Sequence, residues 1–94
     1  MPEYIRITPE YDSDDPDVVH LVTNLTLHQG ASDEVYASAE EGDIGSPLAQ
    51  LLFQIEGIQA LTITEDTFII TRYPDAEWHI LIDEISTAVK DFYL

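Results

Sequence analysis

Four aspartates crowd the run Pro9-Glu10-Tyr11-Asp12-Ser13-Asp14-Asp15-Pro16-Asp17. Oxygen ligands at that density are what a calcium loop uses. The spacing does not fit one. Counting from Asp12, Asp17 stands at the sixth position, where the loop turns sharply on glycine. Thr23 stands at the twelfth, where a bidentate glutamate is needed, and Pro16 interrupts the ligand run. The stretch therefore reads as an acidic loop, because aspartate and proline both favour turns for local backbone reasons.

Three histidines could supply acid–base or ligand chemistry: His20, His28 and His79. His20 and His28 share one face of an expected strand, but at ~3.4 Å per residue they stand about 27 Å apart. They cannot share an ion within one chain. His79 follows Trp78 on an expected helix and reads as a surface or boundary residue. No Gly-x-Ser-x-Gly elbow, phosphate loop, dinucleotide fingerprint or His-Glu-x-x-His pattern occurs. Carboxylate neighbours such as Glu40 and Glu41, or Asp83 and Glu84, are adjacent in sequence and so diverge in space. Asn24-Leu25-Thr26 matches a glycosylation acceptor, but the start Met-Pro-Glu-Tyr-Ile-Arg lacks a secretory pattern, so the match reads as chance. No catalytic residue, no metal ligand and no directly bound cofactor is expected.

Composition narrows the classes further. The 94 residues suit one domain spanning 1–94, and 45% apolar content suits a packed core. There is no cysteine, which excludes disulfides, thiolate metal sites and cysteine-held clusters on these residues. No apolar run approaches about 18 residues, so no membrane span is expected, and the default location is cytoplasmic. Nineteen acids face Arg6, Arg72 and Lys90, for a formal charge of −16. Such a surface repels phosphate backbones and anionic lipid, so neither nucleic acid nor membrane is an expected partner. It is either a solvated, self-repelling exterior, as general halophilic acidity would also produce, or a face for a basic partner.

The elements that would position these groups are clearest from Ser46 onward. Ser46 is a good N-cap and Pro47 suits the first helical position. Leu48, Leu51, Leu52 and Ile55 then form one stripe, and Gly57 closes the helix. Ile58–Ile63 and Thr67–Arg72 read as strands of a hairpin turning at Glu65 and Asp66. Pro74 stops the second strand, and Asp75 is the expected cap of a second helix. That helix carries Trp78, Leu81, Ile82, Ile85, Val89 and Phe92 on one stripe, with Trp78 as a core anchor.

Upstream, the alternation in Glu3–Thr8 predicts a strand, Pro9–Asp17 a loop, and Val18–His28 a long strand with Val19, Leu21, Leu25 and Leu27 on one face. Gln29–Asp33 reads as a turn, Glu34–Ser38 as a short strand with Val35 and Ala37 inward, and Glu40–Gly45 as an acidic loop. The expected fold is α+β: a two-layer sandwich in which an antiparallel four- or five-stranded sheet carries two helices on one face, in the order β-β-(β)-α-β-β-α.

The stretch from Ser46 onward also resembles the N-terminal domain of the Nfu/NifU-like iron–sulfur scaffold proteins. The resemblance rests on Ser46-Pro47-Leu48-Ala49, Leu52-Phe53-Gln54-Ile55-Glu56-Gly57-Ile58, Asp66-Thr67-Phe68-Ile69-Ile70-Thr71 and Asp75-Ala76-Glu77-Trp78. Thr67 is inserted between the aspartate and Phe-Ile of the family's pattern. Asp15-Pro16-Asp17 stands where the family has Asn-Pro-Asn, and His20 where it has a lysine. In that family the cluster-binding cysteines sit on a separate C-terminal domain. The resemblance therefore implies an accessory module in iron–sulfur cluster assembly or delivery, meeting an assembly factor or a recipient protein.

Asp12, Asp14, Asp15, Pro16, Asp17 and His20 are the expected partner-binding residues. Two other functions are kept beside this one: an acidic adaptor for an unrelated basic partner, and a weak carboxylate-based iron binder. The sequence leaves the oligomeric state open.

Overall fold

The computed structural model describes residues 4–27 and 32–93. Five strands, β1 (Ile7–Tyr11), β2 (Val18–Thr23), β3 (Glu34–Tyr36), β4 (Ile58–Ile63) and β5 (Thr67–Arg72), form one sheet in the order β1-β2-β5-β4-β3. Every neighbouring pair is antiparallel. Three helices accompany it: α1 (Ala39–Asp43), α2 (Pro47–Phe53) and α3 (Trp78–Tyr93). The α+β fold expected from the sequence is the one observed, with all five strands and a short additional helix.

Side-chain alternation sets the core. Val19, Leu21, Leu61, Ile63, Phe68 and Ile70 are buried on one sheet face. Against them lie Leu48, Ala49 and Leu52 of α2 and Trp78, Leu81, Ile85 and Val89 of α3. Burying each large apolar side chain contributes about 1.5–3 kcal/mol. Ile82 is half-buried at the edge of the stripe, and Phe92 lies largely outside it.

The hairpin and the α2 cap follow their sequence signals closely. Ser46 Oγ accepts from Ala49 N–H at 3.3 Å, with Pro47 in the first turn. Thr64 N–H donates to Thr67 O at 2.9 Å across the β4–β5 turn, and Asp66 Oδ1 accepts from the Thr67 hydroxyl at 2.8 Å. Helix α2 stops at Phe53, short of Gly57, because the chain tightens: Gln54 and Ile55 N–H donate to Leu51 and Leu52 O three residues back. Gly57 then takes φ +110°, a conformation that only glycine adopts readily.

Other boundaries differ for identifiable reasons. The first strand is Ile7–Tyr11, not Glu3–Thr8. The Asn24 side chain accepts from Arg6 N–H at 2.9 Å and donates to Tyr4 O at 3.1 Å, doing locally what a ladder would do. Pro9 is tolerated inside β1 because β1 is an edge strand. Strand β2 ends at Thr23, whose N–H and hydroxyl both turn to Asp66 O, at 2.9 and 2.7 Å.

In β3, Tyr36 faces inward while Val35 is 65% exposed, the reverse of the expected register. Tyr36 wins that place by meeting Phe53 edge-on at 6.2 Å and accepting from Ser46 N–H at 3.2 Å. Glu40–Gly45 is not a plain loop. Ser38 caps α1, Glu40 and Glu41 suit its positive end, and the bare Gly42 lies against the Phe53 ring. Asp75 does not cap α3. Ala76 N–H first closes a turn onto Tyr73 O, and the helix bonds begin with Leu81 N–H to Glu77 O at 3.0 Å. His28 and most of the expected Gln29–Asp33 turn lie outside the described residues.

Candidate functional site

The six residues singled out for partner binding lie together in and beside the β1–β2 loop. Their carboxylates are largely used for folding. Asp12 Oδ1 accepts from the N–H groups of Asp14 and Asp15, at 2.8 and 3.2 Å, and Asp15 Oδ1 accepts from Asp17 N–H at 2.9 Å. Two successive aspartate turns thus close the loop. The Asp14 N–H holds the Asp12 carboxyl below its ordinary range, with help from Asp15 N–H and from His20. His20 Nε2 stands 3.6 Å from Asp12 Oδ2, an ion pair when the imidazole is protonated.

The far end of the loop is fastened to the helical layer. Arg72 Nε donates to Asp17 Oδ1 at 3.1 Å, and the Arg72 backbone N–H donates to Asp17 O at 2.8 Å. A second guanidinium nitrogen of Arg72 donates to Ala76 O at 3.0 Å, while its central carbon lies 5.1 Å from the Trp78 ring centre. Trp78 Nε1 in turn donates to Pro16 O at 2.9 Å. Trp78 is therefore a core anchor, as expected, and also the clasp that orients the loop. Asp14, Asp15 and Pro16 are left exposed.

The sequence reading missed Arg72. It is one of three cations in a strongly acidic chain, placed at a strand end, and that scarcity is the signal that marks it.

No group of three or more histidine, aspartate or glutamate side chains converges to hold a metal among the described residues. His79 sits apart on α3, highly exposed, with Nε2 3.5 Å from Glu77 Oε2. No helix among the described residues is long and apolar enough to cross a membrane.

A cleft of about 690 Å³ opens where the turn after α2 and the β5–α3 connection meet the first turns of α3. Glu56, Asp75, Glu77 and Glu84 rim it, with Tyr73 and Ile80 presenting apolar surface. Ile80 is an apolar residue on the polar side of α3, a departure from the stripe that the sequence displays and that the expected-site reading passed over.

The chain is similar to known proteins in sequence and in fold. Residues 7–94 match the family described as scaffold protein Nfu/NifU, N-terminal. An NFU1 iron-sulfur cluster scaffold homolog, mitochondrial, of Drosophila ananassae is 39% identical over 49 residues, which is 52% of this chain and 17% of the relative. NifU-like protein 4, mitochondrial, of Arabidopsis thaliana is 40% identical over 50 residues, 53% of this chain and 18% of the relative. The matched segments thus span less than a fifth of these relatives' lengths. Among solved structures, a NifU-like protein from Saccharomyces cerevisiae superposes with a TM-score of 0.78 at 20% identity, covering 97% of this chain and 82% of its own. A Staphylococcus aureus protein superposes at 0.70 with 13% identity, covering 89% and 98%. At these identities the structural likeness concerns the fold.

Proposed function

This chain belongs to the Nfu/NifU N-terminal family, and on that premise we propose that it acts as a non-catalytic protein-contact module, an accessory in iron–sulfur cluster assembly or delivery. The family match over residues 7–94 carries the reading. The names of the relatives, iron–sulfur cluster scaffolds, supply the process. The residues themselves agree with an accessory role. With no cysteine in the 94 residues, thiolate ligation of a cluster falls to another chain or another domain, and a module that binds no cofactor directly is the reading this supports. The partner is an assembly factor or a protein that receives a cluster. The module works in the aqueous compartment of its partners, the cytoplasm in the simplest case.

The test is affinity capture with the tagged chain from native extract, followed by mass spectrometry. Enrichment of iron–sulfur assembly factors or cluster-bearing recipients is expected. Recovery of neither overturns the reading. Recovery of unrelated basic proteins instead favours the acidic-adaptor reading, for which the formal −16 is the supporting observation. Anaerobic titration with ferrous iron, followed by calorimetry, separates the third reading: no stoichiometric binding is expected.

A further inference from the structure

Resting on the protein-contact reading above, we propose that the groove along the outer side of α3 receives a basic, amphipathic segment of the partner protein. Its apolar side chains would lie against Tyr73 and Ile80, and its lysines or arginines among Glu56, Asp75, Glu77 and Glu84.

Three observations carry this. The first is shape. The cleft beside Ile80 is followed along α3 by a second, of about 540 Å³, and Glu84 lines both. The two follow the helix from Glu77 to Phe92, roughly 22 Å at 1.5 Å per residue, room for about four helical turns of a partner.

The second is apolar exposure. Tyr73, Ile80 and Phe92 are 48%, 51% and 45% exposed. All three line this groove, Tyr73 from the β5–α3 connection and Ile80 and Phe92 from a helix whose Trp78, Leu81, Ile85 and Val89 already fill the core. A segment with apolar residues spaced three and four apart fits such a trough.

The third is charge. The first cleft contributes four carboxylates and the second adds Asp83 and Asp91, while neither is lined by lysine, arginine or histidine. Among the described residues His79 Nε2 stands 3.5 Å from Glu77, an ion pair when the imidazole is protonated, and Lys90 precedes Asp91 in the chain. The β1–β2 loop differs in this respect: Asp12 and Asp17 already have His20 and Arg72, and Asp12 and Asp15 close its turns. The groove carboxylates are therefore available to an incoming cation, and those of the loop are largely committed. Steering by a −16 surface would raise the association rate and make it fall with salt.

The experiment uses the full 94-residue chain, labelled with ¹⁵N, and two synthetic peptides of one composition. One places leucines on a single helical face with lysines flanking them; the other scrambles the order and so destroys the face. We expect the amphipathic peptide to bind at least about tenfold more tightly than the scrambled one. Its chemical-shift changes should centre on Tyr73, Ile80 and Glu84. Ile80→Asp and Glu84→Lys should each weaken it by about tenfold, and Asp14→Lys by less than about twofold. Retained folding of each variant is read from the same spectra. Equal affinity for both peptides, or shifts centred on the Asp12–Asp17 loop or on the open sheet face, overturns the groove assignment. Native capture keeps the two proposals apart. If Ile80→Asp still recovers iron–sulfur proteins as the wild type does, the groove fails and the function stands. If the wild type recovers none while the peptide maps to the groove, the function fails and the groove stands.

Discussion

The indole Nε1 of Trp78 donates to the carbonyl oxygen of Pro16 at 2.9 Å, joining the first residue of α3 to the β1–β2 loop across 62 positions of chain. The ring buries most of its area at the same time, so one side chain serves the core and the loop. Trp78→Phe keeps the apolar body and removes the donor. The bond to the carbonyl of the exposed Pro16 is then lost, a cost of about 0.5–1.5 kcal/mol. The urea midpoint should fall with little change in slope, and amide exchange should accelerate from Asp14 to Asp17. An unchanged midpoint would show that water replaces the indole freely.

Arg72 holds the same joint from the other side. Its contacts to Asp17, Ala76 O and the Trp78 ring differ in what they require of the cation. A lysine can still pair with Asp17, but it lacks the flat fork that reaches Ala76 O and stacks on the indole. Arg72→Lys should therefore recover less than half of what Arg72→Ala loses, with the full loss about 1–3 kcal/mol for this partly buried pair. Equal stability of the lysine variant and the wild type would reduce the joint to simple charge pairing. Denaturant unfolding at low and moderate salt measures both.

Acid should weaken the loop as the Asp12 carboxylate is protonated. Its folded-state pKa lies below the unfolded value because the Asp14 N–H favours the charged carboxylate more than desolvation opposes it, with smaller help from Asp15 N–H and His20. The stabilisation is therefore present above the unfolded value of about 3.9 and is lost as pH falls through the folded one. A carboxyl-detected titration should place the Asp12 midpoint below that of an unperturbed aspartate. Asp12→Asn should flatten the pH dependence of stability in that window. A midpoint at or above the ordinary value would contradict the bonds drawn here.

The parts legible in the sequence share one property: the determinant is local. Ser46 before Pro47, the apolar alternation of β4 and β5, and the Trp78-Leu81-Ile85-Val89 spacing each specify an element within a few residues; the two strands match their expected bounds and α2 its expected start, while the end of α2 and the start of α3 do not. The parts misread are set by partners distant in sequence. β2 stops where Thr23 meets Asp66, 43 residues away, and β3 turns Tyr36 inward to reach Phe53 and Ser46. Helix α1 depends on Gly42 lying against Phe53, which no periodicity reveals in five residues. The candidate loop was found from its aspartates, but the side chains that fasten it, Arg72 and Trp78, come from the far half of the chain.

Gly57 links the fold to the groove and gives a separable prediction. It takes φ +110°, and a Cβ added there would stand 3.1 Å from Ala76 Cβ and 3.5 Å from Leu81 Cδ1. Two costs follow, one from the backbone and one from the contact. Its carbonyl also accepts from Tyr73 N–H at 2.9 Å, so a shift to relieve either cost would move one wall of the cleft. Gly57→Ala should destabilise by about 1–3 kcal/mol, the range for a non-glycine residue held in such a region. Adding Ala76→Gly removes the closer contact and leaves the backbone strain. The double variant should therefore recover a minor part of the loss, after correction for Ala76→Gly alone. Full recovery in that double-mutant cycle would make the crowding by Ala76 the reason for glycine, and would remove the backbone from the account of how α2 is turned into β4.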